Sequence, residues 1–267
     1  MLVRVISGVV ALALAIALLY FAPPWAVTAV MALLCLLATR ELLWGTKLVQ
    51  NRRMVAVSCL AAAGVPVWNS FGSPALVLQG ALALLIVYFF VECIASHGKL
   101  PFAQITISLF GALVLPYAIS SLFRIYLHEQ GKVLIWVPMI AAWASDCCAL
   151  FGGILWGKHK LAPVISPKKT VEGSISGVFG SVIVMLIFVG VADRFFDLEI
   201  GYGVAALLGA AGAVIGQVGD LSFSAIKRQC GIKDYGKIMP GHGGVLDRFD
   251  SIIFTSMTVE VLWKWLG

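Results

Sequence analysis

The 267-residue chain is 61% hydrophobic and only 12% charged, with 19 Lys and Arg against 13 Asp and Glu for a net charge of +6. This composition excludes a water-soluble globular domain, and no basic stripe interleaved with aromatics gives the positive charge a nucleic-acid meaning. The six cysteines form no C-x-x-C pair and no Cys/His ligand spacing, which argues against structural zinc.

A bilayer-crossing helix needs about 20 apolar residues. Nine stretches meet that expectation, at roughly 4–22, 25–43, 54–72, 75–94, 102–125, 133–155, 174–194, 200–219 and 248–266. Pro23-Pro24 and Ser73-Pro74 make short turns between neighbours. The first stretch has Arg4 as a positive flank but no small-residue cleavage site, so it is read as a retained helix. The expected fold is an all-α polytopic integral membrane protein of about nine transmembrane helices. With the N-terminus in the cytoplasm, 15 of the 19 Lys and Arg residues fall on cytoplasmic segments, leaving Arg124, Lys132, Arg194 and Lys264 opposite. The positive-inside rule therefore predicts a cytoplasmic N-terminus and an outside C-terminus. It also explains the net charge, which helps attract anionic lipid headgroups. Trp25, Trp44, Trp136, Trp156, Trp263 and Trp265 fall near span ends, as an interfacial belt would place them.

Residues 1–130 hold few charges and read as a transmembrane helical scaffold. In 131–267 the polar residues concentrate in two segments expected in the cytoplasm, 146–173 and 220–250, and this part carries the candidate chemistry. The first segment runs from Asp146 through Lys158 and Lys160 to Ser166-Pro-Lys168-Lys169-Thr-Val-Glu172-Gly173. Ser166-Pro167 has the form of an N-cap followed by proline at the first helical position. Two lysines in a first helical turn oppose the helix dipole, which hints at an anion there; the plain alternative is a positive-inside loop.

At the end of the eighth stretch, Asp220, Ser224 and Lys227 are spaced i, i+4, i+7 and share one helical stripe. The polar run Ser224–Asp250 then reads SAIKRQCGIKDYGKIMPGHGGVLDRFD. Gly243-Gly244 directly precedes the last apolar stretch, and glycines before a helix start suit a phosphate, with Lys227, Arg228, Lys233, Lys237 and Arg248 at hand for charge. Asp247 and Asp250, three apart, share a face of that helix, although dipole complementarity alone would also favour them. With Asp220 they make a three-carboxylate metal site plausible, and Asp234 is a fourth choice. His242 is the one group in the run that titrates near neutrality, suited to orienting a phosphate or relaying a proton. Cations beside clustered carboxylates point to metal-assisted chemistry on a phosphorylated substrate at a membrane surface.

Ser224-x-x-Lys227-Arg228, Lys233-Asp234-x-Gly236, Pro240-x-His242-Gly243-Gly244 and Asp247-Arg248-x-Asp250 closely resemble the signature of the phosphatidate cytidylyltransferase (CDP-diacylglycerol synthase) family. Ser166-Pro-Lys-Lys-Thr-x-Glu-Gly is similar to the second polar block of that family. The resemblance implies transfer of CMP from CTP to phosphatidate, giving CDP-diacylglycerol and pyrophosphate at the cytoplasmic face of the inner membrane. It implies a cation-dependent site, with Mg²⁺, joined by a second cation such as K⁺, as the expectation. Asp220, Lys227, Asp247 and Asp250 are then the expected catalytic residues, with Asp220, Asp247 and Asp250 as metal ligands. Ser224, Arg228, Lys233, His242, Gly243, Gly244, Arg248, Lys168, Lys169 and Glu172 are expected to bind substrate, and Asp146 to line the pocket. Expected partners are CTP, phosphatidate and membrane lipids, with a homodimer implied by the resemblance alone and no nucleic acid. Two other readings stay open at this point: a sister transferase or polyprenol kinase using CTP, and a transporter of a phosphorylated solute. Mid-span charges and an inverted repeat, the signs of a transporter, are not evident.

Overall fold

The computed structural model describes residues 2–198, 200–238 and 243–266. Its elements are helices α1 (Leu2–Phe21), α2 (Pro24–Arg40), α3 (Arg52–Ser70), α4 (Ala75–Ala95), α5 (Phe102–Leu109), α6 (Leu115–Tyr126), α7 (Gly131–Leu134) and α8 (Trp136–Trp156), a hairpin of β1 (Lys160–Ala162) and β2 (Ser166–Thr170), then α9 (Val171–Phe196), α10 (Tyr202–Gln229) and α11 (Leu246–Leu266). A π-helical turn, Glu41–Gly45, extends α2, and another, Phe110–Val114, joins α5 to α6.

Among the described residues, six helical stretches are long and apolar enough to cross a membrane: Pro24–Gly45, Ala75–Ala95, Phe102–Tyr126, Gly131–Trp156, Val171–Phe196 and Tyr202–Gln229. Large apolar side chains face outward from them, among them Leu84, Ile94, Ile154 and Phe179. This is the surface of a multi-pass membrane protein, because lipid removes the cost that water would impose on it. Each of the nine expected apolar stretches is helical. Those in α1, α3 and α11 fall outside the six: α1 counts only as the shorter apolar helix Gly8–Phe21, α3 opens with Arg52-Arg53, and α11 carries Asp247, Arg248, Asp250, Glu260 and Lys264.

The hairpin corrects one expectation. Ser166-Pro167 does not start a helix; it lies in β2, paired antiparallel with β1 through Lys160–Thr170 and Ala162–Ser166. The next helix begins at Val171, and its N-cap is Thr170, whose side chain accepts a hydrogen bond from the Gly173 amide at 3.2 Å. Proline is tolerated on an edge strand as well as at a helix start, and Thr170, still in extended backbone, supplies the cap where the strand ends.

The chain divides into two compact units. One comprises the described residues to Phe123 together with Cys230–Arg248; the other comprises Arg124–Gln229 and the described residues from Phe249. In the first, α2 packs along α3. Buried hydroxyls pin its helices: Thr39 donates to the Gly111 carbonyl at 2.7 Å and Ser58 to that of Ser108 at 3.4 Å. In the second, α8 and α9 form the most extensive contact, and small residues allow it. A side chain at Gly177 would press on the Ser145 carbonyl oxygen, 2.8 Å from where its Cβ would sit. The apolar core of this unit includes Val137, Ala141, Met185, Val189, Leu208 and Val259. Through it, buried Ser181 lies 3.2 Å from the Ala141 carbonyl and 3.0 Å from that of Gly209, tying α8, α9 and α10 together. At the end of this unit away from the hairpin, Arg124 holds Glu260 by two bonds of 2.7 Å, and Lys264 adds a third of 2.7 Å.

Candidate active site

In the unit that contains the hairpin, α10 runs unbroken through Gln229, so Asp220, Ser224 and Lys227 are helical residues on one stripe, as their spacing predicts. Ser224 donates to Asp220 Oδ1 at 3.3 Å. The Lys169 ammonium, from β2, forms an ion pair with Asp220 Oδ2. Asp250 follows in the second turn of α11, where its Oδ1 accepts from the Ser251 amide at 2.8 Å. The Ser251 hydroxyl lies 3.3 Å from that same oxygen and 3.5 Å from Asp146 Oδ2. Asp220, Lys227 and Asp146 are near enough to act on the charge of Asp250. Close approach of α10 and α11 depends on Gly219, where a Cβ would stand 2.7 Å from the Phe254 ring and 2.8 Å from the Asp250 carbonyl.

Beside this cluster is a cavity of about 380 Å³. Asp146, Lys168, Lys169, Ser174 and Gln217 give it a polar side, and Leu150, Ile154 and Leu161 an apolar one. Leu150 and Ile154 are themselves largely exposed on the outer surface of α8. The cavity thus joins a charged end to a lipid-compatible wall, as an amphipathic ligand requires. Gln217 was missed by sequence reading. Its amide nitrogen donates to Ser145 Oγ at 3.0 Å and to the Ser174 carbonyl at 3.1 Å, while its oxygen accepts from the Ser174 hydroxyl.

Two further expected substrate-binding residues here also have protein partners. Glu172 accepts from the backbone N–H of Lys158 at 3.1 Å and of His159 at 3.2 Å, and its Oε1 lies 2.5 Å from His159 Nδ1. It anchors the approach to the hairpin, with His159 as its side-chain partner. Arg228 donates from Nε to the Ile165 carbonyl in the hairpin turn at 3.3 Å. Lys168 remains exposed on β2 and lines the cavity.

The other unit holds Lys233, Gly243, Gly244, Asp247 and Arg248. The expected open phosphate site at the start of α11 is not what its backbone shows. The amides of Val245 and Leu246 donate to Glu41 Oε1 and Oε2 at 3.0 and 2.9 Å, and Gly244 donates to Asp247 Oδ2 at 3.0 Å. The helix N-terminus already holds an anion, a buried glutamate carried by the π-helical turn after α2. Gly244 and Gly236 are required there, since a Cβ at either would collide with the Glu41 carboxylate. Asp247 is buried and its Oδ2 also accepts from the Tyr235 amide at 2.8 Å, so this carboxylate shapes the loop. Lys233, Asp234, Lys237 and Arg248 are exposed, and among the described residues Asp234 forms no ion pair. Burial raises the Cys230 thiol above its ordinary value, a hydrogen bond with Thr46 partly offsetting this. His242 lies outside the described residues, as do Met239, Pro240 and Gly241.

Among the described residues, no three acidic, histidine or cysteine side chains close into a ready metal cage. The donor chemistry nonetheless fits Mg²⁺, which takes one or two carboxylates and completes its shell with water and substrate phosphate. Asp220, Asp250 and Asp146 offer that within one unit.

Residues 2–266 match the sequence model of the Cytidylyltransferase family. The chain is similar to the phosphatidate cytidylyltransferase of Staphylococcus aureus (strain COL), 42% identical over 144 residues, or 54% of each chain. It is similar to the proteins of that name in Staphylococcus saprophyticus, 42% over 140 residues covering 51% of this chain and 52% of the relative, and in Staphylococcus epidermidis, 41% over 135 residues covering 51% and 50%. The matched stretch spans about half the length of these relatives.

Proposed function

The chain belongs to the cytidylyltransferase family, and on that premise we propose that it is an integral-membrane phosphatidate cytidylyltransferase. A phosphate oxygen of phosphatidate attacks the α-phosphorus of CTP. The new P–O bond gives CDP-diacylglycerol, and the α–β P–O bond breaks to release pyrophosphate. The observation that carries this reading is the cluster of Asp220, Asp250 and Asp146 with Lys169, at the polar end of a cavity whose other wall is apolar and lipid-facing.

The chain's own residues bind, orient and neutralise. Lys169 and Lys227 draw phosphate groups toward the carboxylates, and Lys168 adds charge at the cavity mouth. Asp220 and Asp250, with Asp146 beside them, would hold Mg²⁺, which supplies charge neutralisation at the reacting phosphates when bound. Ser224 and Ser251 orient the Asp220 and Asp250 carboxylates. Two phosphates facing each other repel, so positioning between fixed cations removes much of the barrier, and no enzyme nucleophile is required. Asp247 supports the same chemistry by fixing the loop that leads into α11.

In this reading the chain crosses the inner membrane nine times with its N-terminus in the cytoplasm, α1 included and α3 and α11 crossing despite their charged ends. The hairpin and the 230–248 loop then face the cytoplasm, where CTP is. Incubating detergent-purified protein with CTP, phosphatidate and Mg²⁺ should yield CDP-diacylglycerol and pyrophosphate, and folded Asp250→Asn should yield both far more slowly. A folded wild type that forms no liponucleotide sinks the proposal, and release of CDP with phosphorylation of a polyprenol added in place of phosphatidate would instead indicate a kinase.

A further inference from the structure

The scaffold unit contains a second charged feature that the proposed reaction does not use. Arg40 ends α2, and Arg52 begins α3. The two flank an open groove of about 390 Å³ whose walls are Leu36, Val55, Ala56 and Cys59. Trp44, from the π-helical turn, completes the lining, and the Arg52 guanidinium carbon sits 5.7 Å from the centroid of its ring. That cation–π contact holds one charge at the mouth of an otherwise apolar groove. Such a volume falls in the range of about 300–1,000 Å³ typical of ligand sites.

Three observations identify the occupant. Among the described residues, no carboxylate forms an ion pair with Arg40 or Arg52, and both are exposed. Glu41, which acts on the charge of Arg40, has both carboxylate oxygens engaged by the Val245 and Leu246 amides. At the other side, α3 starts with two arginines, where the helix dipole favours an anion, and its cap is the uncharged Asn51, whose Oδ1 takes the Arg53 amide at 2.9 Å and that of Met54 at 3.4 Å. Of the pair, Arg53 has Glu92 at 3.9 Å. Arg52 does not share it.

An anion therefore belongs between Arg40 and Arg52, and the apolar walls running into the span require that anion to carry hydrocarbon. We propose that this groove is an anionic-phospholipid site, separate from the reacting cluster, in which the phosphodiester lies between the two guanidiniums and an acyl chain follows Leu36, Val55 and Cys59. Trp44 stands one residue from the end of the Pro24–Gly45 span, the place where interfacial tryptophans fall. A lipid held there fixes the junction of α2 and α3, the same junction from which Glu41 reaches the start of α11.

The test uses the full chain in vesicles of phosphatidylcholine containing a minor share of acyl-brominated phosphatidylglycerol. That lipid has no terminal phosphate, so it is not a substrate of the proposed reaction and its binding is independent of turnover. Trp44 emission, obtained as the difference between wild type and Trp44→Phe, should be quenched by brominated phosphatidylglycerol at shares where brominated phosphatidylcholine has little effect. Arg40→Gln with Arg52→Gln should raise the share needed by about thirtyfold, the expectation for two cations lost at headgroup level. Ala56→Leu, which fills the groove and keeps both arginines, should abolish the quenching and guards against misfolding of the double variant. Equal quenching by the two brominated lipids overturns the proposal. So does a Trp44 response to inorganic phosphate without quenching by lipid, which would make the ligand a soluble anion. CDP-diacylglycerol formation is followed separately, so a silent enzyme with intact quenching would refute the proposed reaction and leave this site standing.

Discussion

Asp247 and Asp250 are three residues apart at the start of one helix, yet the two carboxylates have different kinds of partner. Asp247 is buried and takes the backbone amides of Tyr235 and Gly244, alongside Glu41, which takes those of Val245 and Leu246. Asp250 shares its surroundings with Asp220, Asp146, Lys227 and the Ser251 hydroxyl, groups that a ligand can rearrange. A carboxylate engaged by backbone amides is a fixture of the fold, because releasing it strands buried donors. A carboxylate among other carboxylates and lysines is poised for exchange, since a metal and phosphates can replace its partners one for one. The glycine-rich loop is thus built around anions the protein supplies itself, and the cluster beside the hairpin is where external ones fit.

Substitutions should separate these two kinds of carboxylate, and the largest effect belongs to the exchangeable one. Asp250→Asn and Asp220→Asn should each lower turnover about a thousandfold while leaving the unfolding midpoint nearly unchanged. Both should also raise the Mg²⁺ concentration needed for half-maximal rate. A large loss of thermal stability in Asp250→Asn would erase the contrast.

Glu41→Ala should show the opposite pattern. Removing the carboxylate leaves two buried N–H groups without an acceptor and costs about 3 kcal/mol in all, read as a lowered unfolding midpoint in detergent. Glu41→Gln restores one acceptor and should fall between. Turnover per folded molecule should change little in either. A collapse of turnover at unchanged stability would instead move Glu41 into the reacting set.

Glu41 also marks where sequence reading stops. Its partners lie 204 and 205 residues along the chain, and a lone acid at the end of an apolar stretch carries no pattern that points so far. The helices were legible because hydrocarbon demands continuous apolar runs and turns interrupt them visibly. Asp220, Ser224 and Lys227 were legible because helical spacing alone puts them on one stripe. Ser166–Thr170 was misread because Ser-Pro suits a helix start and an edge strand equally, and pairing with Lys160–Ala162 decided between them. The spacing of Asp247 and Asp250 is compatible with one shared role. Only the amides of Tyr235 and Gly244 distinguish them.

Lys169 offers a smaller test within the exchangeable cluster. Its ion pair with Asp220 sits at the polar end of the cavity, half-buried on β2, whereas Lys168 on the alternate face of the strand is exposed. Lys169→Gln should reduce kcat/KM about tenfold to a hundredfold, and Lys168→Gln by less, measured with CTP and phosphatidate varied in turn. Equal effects would mean that the strand presents both lysines to substrate and that the Asp220 pair is incidental.

The smallest effect should come from Glu172, the one acid whose expected place among substrate-binding groups conflicts most with its partners. It holds the Lys158 and His159 amides and the His159 ring, and that ring is largely exposed. Solvent weakens such a contact, so Glu172→Gln should lower the unfolding midpoint only slightly. If the residue only steadies the approach to the hairpin, His159→Ala should reproduce the same modest change, and the two substitutions together should do no more than either alone. If Glu172 instead orders a phosphate or a metal-bound water in the working site, its substitution will depress kcat well beyond that of His159→Ala. It would then belong with Asp220 and Asp250, and the line between fixed and exchangeable carboxylates would have to be drawn by what binds, not by what the resting protein already holds.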